Sequence, residues 1–282
     1  MNRIGSGIRW AIIIALSIIF VFPLYWMFST SIKPLTDIFA FPPKLLPFPF
    51  SFKAYVEAWT MQNFTLYTLN TLIIAFFNIV LGVGSSAIVA YGFARFRFRG
   101  RETLFLLVLA TMIIPEEILY FAQYFEFKWF GWLNTLLPLI VPSLFGSGKA
   151  FFIFLIRQYL KSIPFELDEA ATIDGCNKFQ VFYKILLPLI APVLATCAVF
   201  QFLFSWNDYM GPLIYLQTRE HWTLSLGIAS IYSESLGSAS YSAVNWGHRM
   251  AMSTIFSIAP LIVFFLAQKK LIGGIATTGI KG

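Results

Sequence analysis

Glu166-Leu167-Asp168-Glu169-Ala170-Ala171-Thr172-Ile173-Asp174-Gly175, followed at a fixed distance by Ile185-Leu186-Leu187-Pro188-Leu189, interrupts an otherwise apolar chain of 282 residues. The segment from Glu166 to Asp174 holds four of the 13 acidic residues. Charges are expensive inside hydrocarbon, so a short acidic stretch between membrane-type runs must lie outside the bilayer core. It is therefore the first place to expect contact with another molecule.

The rest of the chain explains why this stretch stands out. Hydrophobic residues make up 58% of the sequence and charged residues only 12%, with 32 phenylalanines and a mean hydropathy of +0.75. Soluble domains carry roughly 25% charged residues, and a soluble core of this length cannot hide so large an apolar excess. The composition specifies an all-α integral membrane protein. A helix needs roughly 20 mostly apolar residues to cross the bilayer. Six stretches qualify, at about 10–31, 66–93, 103–125, 136–158, 185–207 and 248–268. Prolines within or near them (Pro115, Pro138, Pro142, Pro192, Pro260) are tolerated where neighbouring helices satisfy the freed carbonyls. Gly146-Ser147-Gly148-Lys149 makes the fourth span the least regular.

A net charge of +7 would suggest nucleic acid only if the basic residues formed a patch on a soluble domain. Instead they flank the apolar runs, so no nucleic-acid partner is expected, and their asymmetry sets orientation. With the N-terminus inside, the inner segments hold Arg3, Arg9, Arg95, Arg97, Arg99, Arg101, Arg157, Lys161, Lys178, Lys184, Lys269, Lys270 and Lys281. The outer segments hold Lys33, Lys44, Lys53, Lys128 and Arg219. Thirteen against five puts both termini in the cytoplasm. The expected organisation is a first membrane helix and an external Pro-rich loop over 1–65, then a five-helix core over 66–270, then a cytoplasmic tail over 271–282. The core includes a cytoplasmic loop at about 161–184, and residues 208–246 form the longest external loop. Cys176 and Cys197 show neither metal nor disulfide spacing.

Within the acidic loop, Pro164 suits a first helical turn. Glu166, Asp168 and Glu169 place negative charge at the positive end of the helix dipole. Gly175 supplies a left-handed stop. Asn177 and Gln180 have capping-box spacing for a second helix, on which Phe179, Phe182, Tyr183 and Leu186 recur as one apolar face. Two short helices at the cytoplasmic surface could be an amphipathic connector in the headgroups. Interfacial helices favour Lys and Arg, however, so an acidic helix fits protein docking better.

Several other residues invite a role. Gly82, Ser86, Ala90 and Ala94 form a small-residue ridge suited to close helix packing. Glu116, Glu117 and Lys149 fall within apolar runs, either as intramembrane charges or, for the glutamates, at the outer interface; Lys149 is the natural partner of the glutamates if they are buried. Asn78, Gln201 and Asn207 are candidates for a polar transport pathway, whereas His221 and His248 look isolated. Gly146-Ser147-Gly148-Lys149 resembles a P-loop, but Ser143 stands at the first glycine position and Ala150 at the Ser/Thr position. No catalytic residue, metal site or cofactor of this chain's own is expected.

The loop resembles that of permease subunits of ABC importers, which carry Glu-Ala-Ala, a glycine, and then Ile-x-Leu-Pro. Here these are Glu169-Ala170-Ala171, Gly175, and Ile185-Leu186-Leu187-Pro188. Ser31-Ile32-Lys33-Pro34, Tyr91-Gly92-Phe93-Ala94-Arg95, Trp206-Asn207-Asp208-Tyr209 and the Gly279-Ile280-Lys281-Gly282 tail extend the likeness over nearly the whole chain. It is similar to the shorter permease of maltose-type sugar importers. The resemblance implies a type I importer-permease fold in a prokaryotic cell membrane. It also implies a second permease subunit, two ATPase subunits that bind ATP and Mg, an external solute-binding protein, and an oligosaccharide or disaccharide as cargo. Glu169, Ala170, Ala171, Asp174 and Gly175, with Lys281 and Gly282, would contact the ATPase. A glycerol phosphate as cargo is the alternative within this architecture. An ATPase-independent channel or secondary transporter is the alternative outside it, and predicts an internal repeat that the sequence lacks.

Overall fold

The computed structural model describes residues 3–145, 149–236 and 243–276, so the tail residues Lys281 and Gly282 lie outside the described residues. Regular structure among them is entirely helical. The main elements are α1 (Arg3–Ser31), α2 (Lys53–Met61), α3 (Phe64–Arg95), α4 (Arg101–Ala110), α5 (Glu116–Trp129) and α6 (Ala150–Ser162). They continue with α7 (Glu166–Ile173), α8 (Lys178–Leu189), α9 (Ala191–Asn207), α10 (Met210–Tyr215), α11 (Leu224–Leu236) and α12 (Ala243–Ala276).

Among the described residues, four stretches are long and apolar enough to cross a membrane, and six are if each of two bent pairs counts as one span. The bends have identifiable causes. Between α4 and α5 the chain turns by 94°, after a tight turn at Thr111–Ile113. Pro115 biases Ile114 out of the helical region, and Ile114 is extended (φ −78°, ψ 116°). Between α8 and α9 the 76° bend falls at Ile190, flanked by Pro188 and Pro192. The expected loops are more ordered than their composition suggests: α2 lies within 32–65, and α10 and α11 lie within 208–246.

The chain divides into two compact units, one of residues 1–66 with 224–259 and the other of 67–223 with 260–282. In the first, His248 Nε2 lies 3.2 Å from Glu57 Oε2, so this histidine is not isolated. Gln62 and Ser230 exchange hydrogen bonds of 3.0 and 3.1 Å.

The second unit holds the core that positions the candidate sites. Val83, Ala87, Ala90 and Tyr91 of α3, Phe105 of α4, and Phe152, Ile153, Ile156 and Leu160 of α6 pack with Val181, Phe182 and Leu186 of α8. Gly82, Ser86 and Ala90 are buried. The second half of α3 and α6 form the most extensive helix pair, as expected of a small-residue ridge. Ala171 of α7 joins this core, which anchors the acidic helix to the membrane part.

Candidate functional site

Two places in the second unit gather polar chemistry, and the first is a cavity. A space of about 980 Å³ is lined by Asn78 from α3, Glu116, Tyr120 and Gln123 from α5, Ser143 and Lys149 around the fourth span, and Gln201, Ser205, Asn207, Asp208 and Tyr215 beyond. Aromatic faces of Phe151, Phe200 and Phe204 complete it.

Its wall is organised by a buried polar chain. The Lys149 ammonium donates to Gln201 Oε1. Gln201 Nε2 donates to Ser205 Oγ at 3.1 Å, and Asn78 Nδ2 donates to the same oxygen at 3.0 Å. Lys149, Gln201, Ser205 and Asn78 are all buried. Room for the ammonium comes from Gly82, where a methyl group would stand 2.6 Å from Lys149 Nζ. Gly82 lies in a π-helical stretch of α3, Ile79–Val83, and such bulges are frequent at functional sites. Two buried side-chain oxygens of cavity-lining residues, Asn78 Oδ1 and Ser143 Oγ, have no hydrogen-bond partner among the described residues.

Glu116 and Glu117 are exposed, so the condition for their pairing with Lys149, burial, is not met. Lys149 makes no salt bridge among the described residues, and its ammonium is hydrogen-bonded to Gln201 on α9. Glu116 lines the same cavity and Glu117 does not; both are exposed in the first turn of α5. Of the pathway candidates, Asn78, Gln201 and Asn207 all meet at this cavity. Sequence reasoning missed Ser205 and Asp208. Gln201 and Ser205 on α9 and Asp208 just past its end recur at i, i+4 and i+7, a spacing that could have marked them in the sequence.

The second place is the acidic loop. α7 has three acidic residues in its first turn, and Gly175 adopts φ +85° to end it. Pro164 falls two residues ahead of α7 instead of inside its first turn. Asn177 and Gln180 form the expected capping box, with both hydrogen bonds at 2.9 Å. The single apolar face expected on α8 is split. A π-helical stretch, Val181–Leu186, adds a residue to the turn. Phe182 and Leu186 then go inward, while Phe179 and Tyr183 stay exposed with their rings 5.2 Å apart and tilted by 51°.

α7 presents Glu166, Leu167, Glu169, Ala170 and Ile173 outward and Asp168 and Ala171 inward. Arg95, the last residue of α3, lies 3.3 Å from Asp168 Oδ2 and donates to Ile163 O at 3.1 Å. Burial pushes the Asp168 carboxyl above its ordinary range, against the opposing pull of Arg95 and Lys178. Beside it, Arg157 of α6 reaches both carboxylate oxygens of Glu102 at 2.7 Å and covers the Phe105 ring at 3.9 Å.

The sequence profile of the binding-protein-dependent transport system inner membrane component family matches residues 80–275, a stretch that contains the acidic loop and all of the cavity lining except Asn78. The chain belongs to this family. It is the membrane transport subunit of an ABC importer, and ATP hydrolysis belongs to a separate ATPase chain. The importer subunit is 32% identical to the diacetylchitobiose uptake system permease protein DasC of Streptomyces coelicolor, over 93% of this chain and 92% of the relative. It is 29% identical to the arabinooligosaccharides transport system permease protein AraQ of Bacillus subtilis, over 95% and 92%. A solved structure of a bacterial ABC transporter involved in the import of the acidic polysaccharide alginate contains a chain with TM-score 0.81 to this one. That chain is 25% identical, with 95% of this chain and 96% of that one covered.

Proposed function

We propose that this importer subunit carries a neutral oligosaccharide or disaccharide, forming half of the translocation pathway beside a second permease. Both termini face the cytoplasm, where two ATPase subunits bind ATP and Mg, and an external solute-binding protein delivers the cargo. The observation that carries this reading is the cavity. Its volume of about 980 Å³ sits at the upper end of the roughly 300–1,000 Å³ of small-molecule pockets. Its wall combines aromatic faces with hydrogen-bonding groups, as C–H patches and hydroxyls of a sugar require.

Charge favours neutral cargo over a glycerol phosphate. The wall holds the carboxylates of Glu116 and Asp208, and its ammonium, Lys149, is already engaged by Gln201. An anionic solute would meet like charge at close range. Relatives named for diacetylchitobiose and arabinooligosaccharides support the same cargo class.

The outward face of α7, with Glu169 and the exposed Ile173, is read as the ATPase-docking surface. Ala170, Ala171, Asp174 and Gly175 shape that surface, and the tail residues Lys281 and Gly282 belong to the same contact. The test is uptake by proteoliposomes holding this chain with its partner permease, ATPases and binding protein. A panel of radiolabelled neutral oligosaccharides should enter only with ATP, and glycerol 3-phosphate should not. Glu169→Lys and Gly175→Asp should each lower uptake at least about tenfold, the scale of a site-to-site coupling energy. ATP-independent uptake, or full uptake by both variants, would reject the reading.

A further inference from the structure

The last turns of α3 grip both helices of the acidic loop. Arg95 is almost fully buried, with 6% of its side chain exposed against 5% for Asp168. One guanidinium nitrogen reaches Asp168 Oδ2 at 3.3 Å and the Ile163 carbonyl at 3.1 Å. The same group lies 5.6 Å from the centre of the Phe165 ring. Four residues earlier, on the same helix face, the Tyr91 hydroxyl donates to Lys178 O at 3.0 Å, and its ring stands 4.9 Å from that of Phe182. One face of α3 thus holds the lead-in to α7, α7 itself and the start of α8.

This arrangement is poorly suited to stability alone. Asp168 Oδ2 and Arg95 Nε make no hydrogen bond among the described residues, and burial opposes the charged form of Asp168. A buried pair so sparsely bonded can be replaced by apolar residues of similar volume at little loss of stability. What apolar residues cannot supply is a charged donor that meets the Asp168 carboxylate and the Ile163 carbonyl at once. α3 is also continuous from this grip to Asn78 at the cavity wall, a distance of about 25 Å at 1.5 Å per residue.

We propose that Arg95, acting through Asp168, is a positioning residue that locks α7 to α3, so that motion imposed on the docking helix is delivered to the cavity wall as movement of one rigid piece. This rests on the reading of α7 as the ATPase-docking helix. The lock is a contiguous physical link of buried groups between the two sites.

The test uses the complete complex, with Cys176→Ala and Cys197→Ala, and spin labels at Thr172→Cys on α7, away from the docking residues, and Phe76→Cys on α3, both exposed positions. The interlabel distance should form one narrow population, with the same centre with and without vanadate-trapped nucleotide. In Arg95→Met/Asp168→Leu the population outside that distance should rise about tenfold on trapping. Arg95→Lys keeps the charge but ends one bond short of the guanidinium nitrogen that makes both contacts, and should broaden the distribution measurably. If the double variant does not assemble, Arg95→Lys decides. A narrow, unchanged distribution in every variant that assembles overturns the lock. Retention of the ATPase on Glu169→Lys is scored separately: a fully retained ATPase rejects the docking reading, whatever the distance distributions do.

Discussion

At the scale of single residues, the most informative position is Gly82. Its missing side chain leaves the space that Lys149 Nζ occupies, and the ammonium is turned onto Gln201 as a result. Gly82→Ala would gain about 1 kcal/mol of helix propensity but displace the flexible tip of Lys149 from its site. The expected outcome is unchanged or slightly raised thermal stability in detergent, with uptake reduced several-fold. A drop in stability with normal uptake would mean that the glycine serves packing alone. Gly82 was legible as a small residue in a ridge, and Lys149 as a charge in an apolar run. That they occupy the same space was not, because they are far apart in sequence and belong to different spans.

At the scale of elements, local chemistry was readable where it is short-range. The Asn177–Gln180 capping box and the left-handed Gly175 depend on neighbours within four residues, and both form as their sequence indicates. Asn177→Ala should lower stability by about 1 kcal/mol, seen as a reduced melting temperature of the purified complex. An unchanged melting temperature would mean that packing of Val181, Phe182 and Leu186 alone holds the start of α8. The face of α8 itself was misread, because a period of 3.6 residues assumes an unbroken α-helix. The π-helical Val181–Leu186 shifts the phase, burying Phe182 and exposing Phe179. The bends were foreshadowed by Pro115, Pro188 and Pro192, yet prolines in membrane helices are often accommodated with little bending. Only packing decides which of them turn the chain by 94° and 76°.

For the whole molecule, the balance of basic residues predicts that Ser235, between the fifth and sixth spans, faces outward. A topology reporter fused after Ser235 should read external; a cytoplasmic signal would invert or break the six-span arrangement. The membrane class, the number of apolar runs and the acidic loop between them were all present in the linear chain. They follow from transfer free energies and helix-end chemistry, which act locally and add along the sequence. The identity of each charge's partner did not follow. Lys149 joins Gln201 instead of a glutamate, and Arg95 reaches across to Asp168. Desolvated groups take whichever counterpart the folded backbone brings within about 3 Å, and that choice exists only once helices distant in sequence have packed.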